Sequence, residues 1–142
     1  MALTARLDIR NADLSKYSMI TYREDSFENI LMDFRVLLPQ HMAEMNYFSM
    51  NGEKFSPDYA RYIKGQSRDK ILLVTAKDDG ILVGYIVFFI DTHIRYNNTV
   101  YAAEDLYYVV PSHRRQGIAK KLFEVAEKAL RDRKVKFIFA TT

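Results

Sequence analysis

The stretch Tyr108-Val109-Val110-Pro111-Ser112-His113-Arg114-Arg115-Gln116-Gly117-Ile118-Ala119 holds the residue types best placed to do chemistry. It joins a β-branched, aromatic run to an amphipathic one, so Arg114-x-x-Gly117-x-Ala119 falls where a strand passes into a helix. A glycine and a small side chain leave the backbone open there, and the first N–H groups of a helix have no internal partner. The positive end of the helix dipole adds to them, so an anion such as a pyrophosphate can sit close. Arg114, Arg115 and Lys120 bring formal charge to the same place. Taken alone, the glycine also fits a plain tight turn. Upstream, Glu104 and Asp105 are neighbours on one predicted strand, so they point to opposite faces and only one can line a given cavity. His41 and Glu44 are three residues apart and share a helix face.

The background charge sharpens this. The 142 residues carry a net charge of +3, but Ser112 to Lys136 holds nine Lys/Arg against three Asp/Glu, leaving −3 on the rest. A local basic stretch on a near-neutral chain suits one anionic ligand better than a surface that coats nucleic acid, though a solvated helix face would read the same way. With 49% hydrophobic and 27% charged residues the composition is that of a globular domain, not a disordered one. The absence of cysteine excludes disulfides, thiolate metal sites and a cysteine nucleophile. The longest apolar run, Ile81 to Ile90, is too short to span a bilayer, and the first residues lack a signal-peptide core. The expectation is a cytoplasmic protein with no membrane contact.

The elements that must position the loop follow from periodicity. Met19 to Arg23 reads as a short strand, and Asp25 and Ser26 both qualify as N-caps of a following helix. Phe27, Ile30, Leu31, Phe34, Leu37 and Leu38 recur at helical spacing. Pro39 should interrupt or kink that helix, with Gln40 to Phe48 continuing it. Ser56-Pro57-Asp58 predicts a second helix start, with Ser56 as cap, ending near Gly65. Ile71 to Ala76 and Ile81 to Ile90 read as strands joined by a hairpin at Lys77-Asp78-Asp79-Gly80. A turn near Asn97-Asn98 leads to a strand from Thr99 to Val110. Ile118, Leu122, Val125, Ala126, Ala129 and Leu130 form the stripe of a third helix, and Lys136 to Thr142 reads as a last strand. The fold class is α+β with a mixed sheet, in the order β-α-α-β-β-β-α-β, over residues 19–142 after an N-terminal extension of residues 1–18.

In this setting Arg114-x-x-Gly117-x-Ala119 resembles the acetyl-CoA site of the GNAT N-acetyltransferases. The likeness is to small phage-type and bacterial members. It extends to Leu37-Leu38-x-x-His41-x-x-Glu44, Ser56-Pro57-Asp58-Tyr59, His93-x-x-Tyr96 and Glu104-Asp105 in the same order. The resemblance implies acetyl-CoA as co-substrate and transfer of its acetyl group to a primary amine by direct attack on the thioester. The backbone of Tyr108, Val109 and Val110 would pair with the pantetheine arm. Arg114, Arg115, Gln116, Gly117, Ile118 and Ala119 would hold the pyrophosphate, with Lys120 near other phosphates. Glu104 would serve as general base, and His41, Glu44, His93 and Tyr96 would lie on the substrate side. No metal is expected: a set from His41, Glu44 and His93 lacks a fixed third ligand, and a histidine bonded to a carboxylate in a pocket wall is the simpler reading. His113 reads as a surface residue.

By the same resemblance the chain is C-terminally shortened, because relatives continue past the strand at Lys136–Thr142 with another helix and a hairpin. The sequence is then a piece of a longer chain, a domain completed by another chain, or a catalytically silent relative that keeps the fold for binding or assembly. An unpaired Lys136–Thr142 edge would invite a second copy or a partner chain. Nucleic-acid binding through the basic stretch is the remaining, less favoured reading.

Overall fold

The computed structural model describes residues 19–45 and 52–140, so the N-terminal extension, residues 46–51 and the last two residues lie outside it. Five strands form one sheet in the order β1-β2-β3-β4-β5: β1 (Ile20–Glu24), β2 (Ile71–Asp78), β3 (Ile81–His93), β4 (Tyr96–Val109) and β5 (Phe137–Phe139). The first four pair antiparallel and β5 runs parallel to β4. Helices α1 (Phe27–Met45) and α2 (Tyr59–Ser67) cover one face, and α3 (Ile118–Asp132) covers the other. The predicted α+β order holds throughout.

The two cores follow from strand alternation. Leu72, Val74, Phe88, Ala102 and Val109 point toward Leu122, Ala126 and Leu130 of α3. Leu73, Tyr85, Val87, Leu106 and Tyr108 point toward Phe27, Ile30, Phe34 and Leu38 of α1. The β2–β3 hairpin turns at Asp79 and Gly80, both with positive φ (50° and 86°), which the Asp-Gly pair accepts at low cost.

The junction before α1 is held by long-range bonds. Ser26 caps the helix, its hydroxyl accepting from the Asn29 N–H at 3.1 Å. Asp25 instead turns inward, where Thr75 donates to it at 2.9 Å and Lys77 lies 3.1 Å away. Gln66 of α2 accepts from the Phe27 N–H at 2.9 Å. Burial pushes the Asp25 carboxyl up, but bonds from Asn29, Lys77, Arg23 and the Ser26 N–H outweigh that and hold it far below its ordinary range.

Four local expectations are corrected. Pro39 does not interrupt α1, because the buried stripe Phe34, Leu38, His41 continues across it and packing outweighs the lost helical bond. The cap of α2 is Asp58, which accepts from the Arg61 N–H, rather than Ser56, and the helix runs on to Ser67. The β3–β4 turn lies at Ile94-Arg95, so Asn97 and Asn98 belong to β4. Among the described residues the last strand covers Phe137–Phe139 and leaves out Lys136 and Ala140, while Thr141 and Thr142 of the expected strand lie outside the described residues.

Candidate active site

The decisive feature is a break in pairing along β4. On one side β4 stays bonded to β3 from Tyr96 to Val109. On the other, among the described residues, β5 pairs only with Tyr101, Ala102 and Ala103. Among the described residues β4 has no β5 partner from Glu104 onward, so its backbone groups there form an open edge leading toward Val110. At the same point the register with β3 shifts: Val87 faces Leu106, Phe88 faces Glu104, and Asp105 is the extra residue of a β-bulge.

The bulge sorts the two carboxylates. Glu104 stands opposite Phe88 and shares its α3-facing side. Asp105 points the other way, toward α2, where the Tyr62 hydroxyl donates to it at 2.6 Å. Burial pushes the Asp105 carboxyl up, with the Tyr62 bond pulling it back down and the nearby Glu104 charge adding to the rise. Asp105 and Leu106 line a cavity of about 1100 Å³ between the end of α1, residues 53–58 and the start of α2; Glu104 does not line it.

Beyond the open edge, Pro111–His113 forms a single 3-10 turn. Arg115 and Gly117 then adopt positive φ (64° and 82°) and deliver the chain into α3. The first helical bond runs from the Lys121 N–H to the Gly117 carbonyl at 3.1 Å, and no side chain caps the preceding turn. The N–H groups of Ile118 to Lys120 precede the first possible helical donor. A Cβ placed on Gly117 would meet no atom within 4 Å, so the space in front of this helix start is open. Arg115, Gln116, Ala119 and Lys120 are exposed around it. Tyr107 fastens the start of α3 to β4 by donating to the Ala119 carbonyl.

Arg114 behaves differently from its neighbours. Its Nε donates to the Val109 carbonyl at 2.9 Å, and its Nη2 reaches both carboxylate oxygens of Glu44, at 3.0 and 2.7 Å. Its guanidinium lies 5.5 Å from the ring centre of Tyr108. Tyr108 in turn stacks on His41 with centroids 4.6 Å apart. His41 is buried and shares a 2.9 Å hydrogen bond with the Tyr85 hydroxyl. Burial lowers its pKa, Glu44 raises it and Arg114 lowers it, so the net direction favours neutral imidazole. His41, Tyr108, Arg114 and Glu44 thus join the end of α1 to the loop before α3.

The four residues expected on the substrate side therefore separate. His41 and Glu44 stand beside the loop, whereas His93 and Tyr96 pair at the tip of the β3–β4 hairpin, with rings 5.3 Å apart. Twelve residues of β4 separate Tyr96 from Tyr108, roughly 35–40 Å of strand. None of the four lines the cavity. His113, expected on the surface, is half-buried and pairs with Asp78 of the β2–β3 hairpin at 2.8 Å. The cavity residues Tyr62 and Asp105 went unassigned because both the bulge and the α2–β4 contact require the sheet register.

The sequence model of the acetyltransferase (GNAT) family matches residues 37–142, well over half of the chain. The chain belongs to the GNAT acetyltransferase family. No curated protein matches it in sequence. Among solved structures, it is similar to an acetyltransferase from Vibrio fischeri at 24% identity and a TM-score of 0.69, covering 84% of this chain and 93% of that one. It is also similar to the ribosomal-protein-alanine N-acetyltransferase of Brucella melitensis biovar Abortus 2308 at 20% identity and a TM-score of 0.65, covering 87% and 79%. A third likeness is to a predicted acetyltransferase from Clostridium acetobutylicum solved with acetyl-CoA, at 14% identity and a TM-score of 0.67, covering 87% and 81%. These likenesses establish the fold, and the family match makes this GNAT domain an N-acetyltransferase. Among the described residues no helix is long and apolar enough to cross a membrane.

Proposed function

We propose that this GNAT domain transfers an acetyl group from acetyl-CoA to a primary amine by direct attack. The observation that carries the reading is the β4 edge from Glu104 to Tyr108, which has no β5 partner among the described residues and runs from the two carboxylates toward the uncapped start of α3, with the Val109 carbonyl held by Arg114. An extended amide-containing arm can take the place of the missing strand along Tyr108 to Val110 by backbone pairing. The amides of the Gly117–Lys120 turn, with Arg115 and Lys120 beside them, suit a pyrophosphate. Arg114 belongs to the frame of this site, because its guanidinium is committed to Glu44 and Val109.

Acetyl-CoA supplies the activated acyl group, and the chain's part is to orient it and manage one proton. A lysine-type amine is neutral in only about one molecule in 2,500 at pH 7, so a nearby base raises the reactive fraction. The amine nitrogen attacks the thioester carbonyl; the C–N bond forms, the C–S bond breaks, CoA leaves as thiolate, and nitrogen's proton passes to a carboxylate at the bulge. Glu104, expected from sequence as the base, and Asp105, on the cavity side, form the pair from which that base comes. We assign the proton-accepting role toward the acceptor cavity to Asp105, whose raised pKa brings it closer to working pH.

Asp105→Asn and Glu104→Gln separate the two when thiol release is followed on one amine. Loss of a general base lowers turnover about 10²–10⁴-fold. That loss should fall on Asp105→Asn, shrink as pH rises and leave acetyl-CoA affinity intact. A loss of that size on Glu104→Gln alone would return the role to Glu104.

A further inference from the structure

The cavity beside Asp105 has walls that specify more than an amine. The sheet forms its floor through Ile71, Phe89, Asp105 and Leu106, while the last turns of α1 contribute Leu38 and Met42. Phe55 and Met45 stand at its mouth and are exposed, as is Phe89, so apolar surface here faces water. The charged residues along the segment opposite α1, Glu53, Lys54, Asp58 and Arg61, are also exposed and lie at the rim. Asp58 is already engaged in capping α2. Of the two partly buried polar side chains on this lining, the Tyr62 hydroxyl is spent on the other, the Asp105 carboxylate. Inside its charged rim the site therefore offers an occupant one anionic anchor, Asp105, and otherwise mainly hydrocarbon.

Resting on the acetyl-transfer reading above, we infer that the acceptor is a primary monoamine carried on an extended apolar body, whose ammonium meets Asp105 and whose hydrocarbon lies against α1. A polyhydroxylated or polycationic acceptor would lose water from many polar groups and, inside the charged rim, find few partners beside Asp105. A cavity of about 1100 Å³ is ample for an alkyl or aryl-alkyl chain of drug-like size. Charge and hydrophobicity are thus divided between Asp105 and the α1 wall, and each half can be tested separately.

The test is a matched pair. Heptylamine and 2-(2-methoxyethoxy)ethylamine have the same length and one amine each, and differ in two methylenes replaced by ether oxygens. Binding of each to the full chain is measured by calorimetry in the presence of CoA, for wild type, Met42→Gln and Asp105→Asn. Two buried methylenes favour heptylamine by about 15-fold or more. Asp105→Asn should weaken both amines and preserve the ratio, whereas Met42→Gln should shrink the ratio. Equal binding, no binding of heptylamine, or tighter binding of the ether overturns the inference. So does tighter binding of kanamycin than of heptylamine. Thiol release from acetyl-CoA is followed in parallel and reads the catalytic proposal by itself. Selective heptylamine binding without turnover would refute acetyl transfer and keep the ligand class. Turnover of polar amines alone would do the reverse.

Discussion

Tyr62→Phe removes a single hydroxyl and isolates how the proposed base is tuned. That hydroxyl donates to Asp105 at 2.6 Å, a bond that favours the ionised carboxylate against the burial that disfavours it. A hydrogen bond to a charged group is worth about 1.5–3 kcal/mol net, which at 1.36 kcal/mol per tenfold is about 10- to 150-fold in the protonation equilibrium. Without it Asp105 holds its proton to higher pH. The acid limb of the kcat/KM profile should therefore move upward by about one to two pH units and converge with wild type at high pH. The ring is retained and keeps its contacts with Phe27 and Phe34, at centroid distances of 5.1 and 6.0 Å, so the fold should change little. The assay is thiol release on one amine from about pH 5 to 10, in which the amine's own titration is common to both proteins and cancels. An unmoved limb, a downward shift, or a loss of equal size at every pH would refute the reasoning and leave Tyr62 as packing alone.

Two further outcomes follow from the loop and from the junction before α1. Gly117→Asp places a carboxylate in the open space before α3 and costs roughly 1 kcal/mol of backbone strain at a φ of 82°. It should abolish acetyl-CoA binding by calorimetry in a protein with unchanged circular dichroism, and retained affinity would remove the loop from the cofactor site. Asp25→Ala leaves Lys77 and Thr75 without their carboxylate partner beneath a side chain only 1% exposed, so urea unfolding at pH 7 should show a loss of about 3–5 kcal/mol. Because the folded-state pKa of Asp25 is depressed, its contribution is full above the ordinary aspartate pKa and fades as pH falls below it. The gap between wild type and variant should therefore narrow in acid, and a gap independent of pH would contradict the ion-pair account.

Much of this molecule is written locally. The apolar stripe of α3, the Asp79-Gly80 hairpin and the Gly117 turn each declare themselves within a few residues, since each depends on one helical period or one positive φ. What sequence spacing cannot carry is partnership across the chain. Arg114 reads as a phosphate ligand from its position, yet its guanidinium is held by Glu44, 70 residues away. His41 reads as a pocket histidine, yet it is sealed beneath Tyr85 and Tyr108. Asp25 and Ser26 are equivalent as caps in sequence, and only the position of Lys77 and Thr75 on β2 makes one a helix cap and the other a buried anchor.

The bulge at Asp105 is the sharpest case, because one residue decides the use of every side chain after it. Strict alternation from Glu104 would send Leu106 and Tyr108 to the α3 side. The extra residue instead returns them to α1 and α2, where Leu106 lines the cavity and Tyr108 stacks on His41. Alternation rightly separates Glu104 from Asp105 but does not tell which faces the acceptor, since that depends on the strand's pairing with β3. The bulge residue lies two positions past the last β5 pairing among the described residues, at Ala103, so the re-aimed carboxylate sits on the stretch of β4 whose edge has just become free. Acceptor side and cofactor side thus meet at one backbone irregularity. Deleting Asp105 would remove the carboxylate and the bulge together but leave Glu104 opposite Phe88 and Leu106 opposite Val87, so Tyr108 would keep its place on His41 and the loss would fall on the acceptor side.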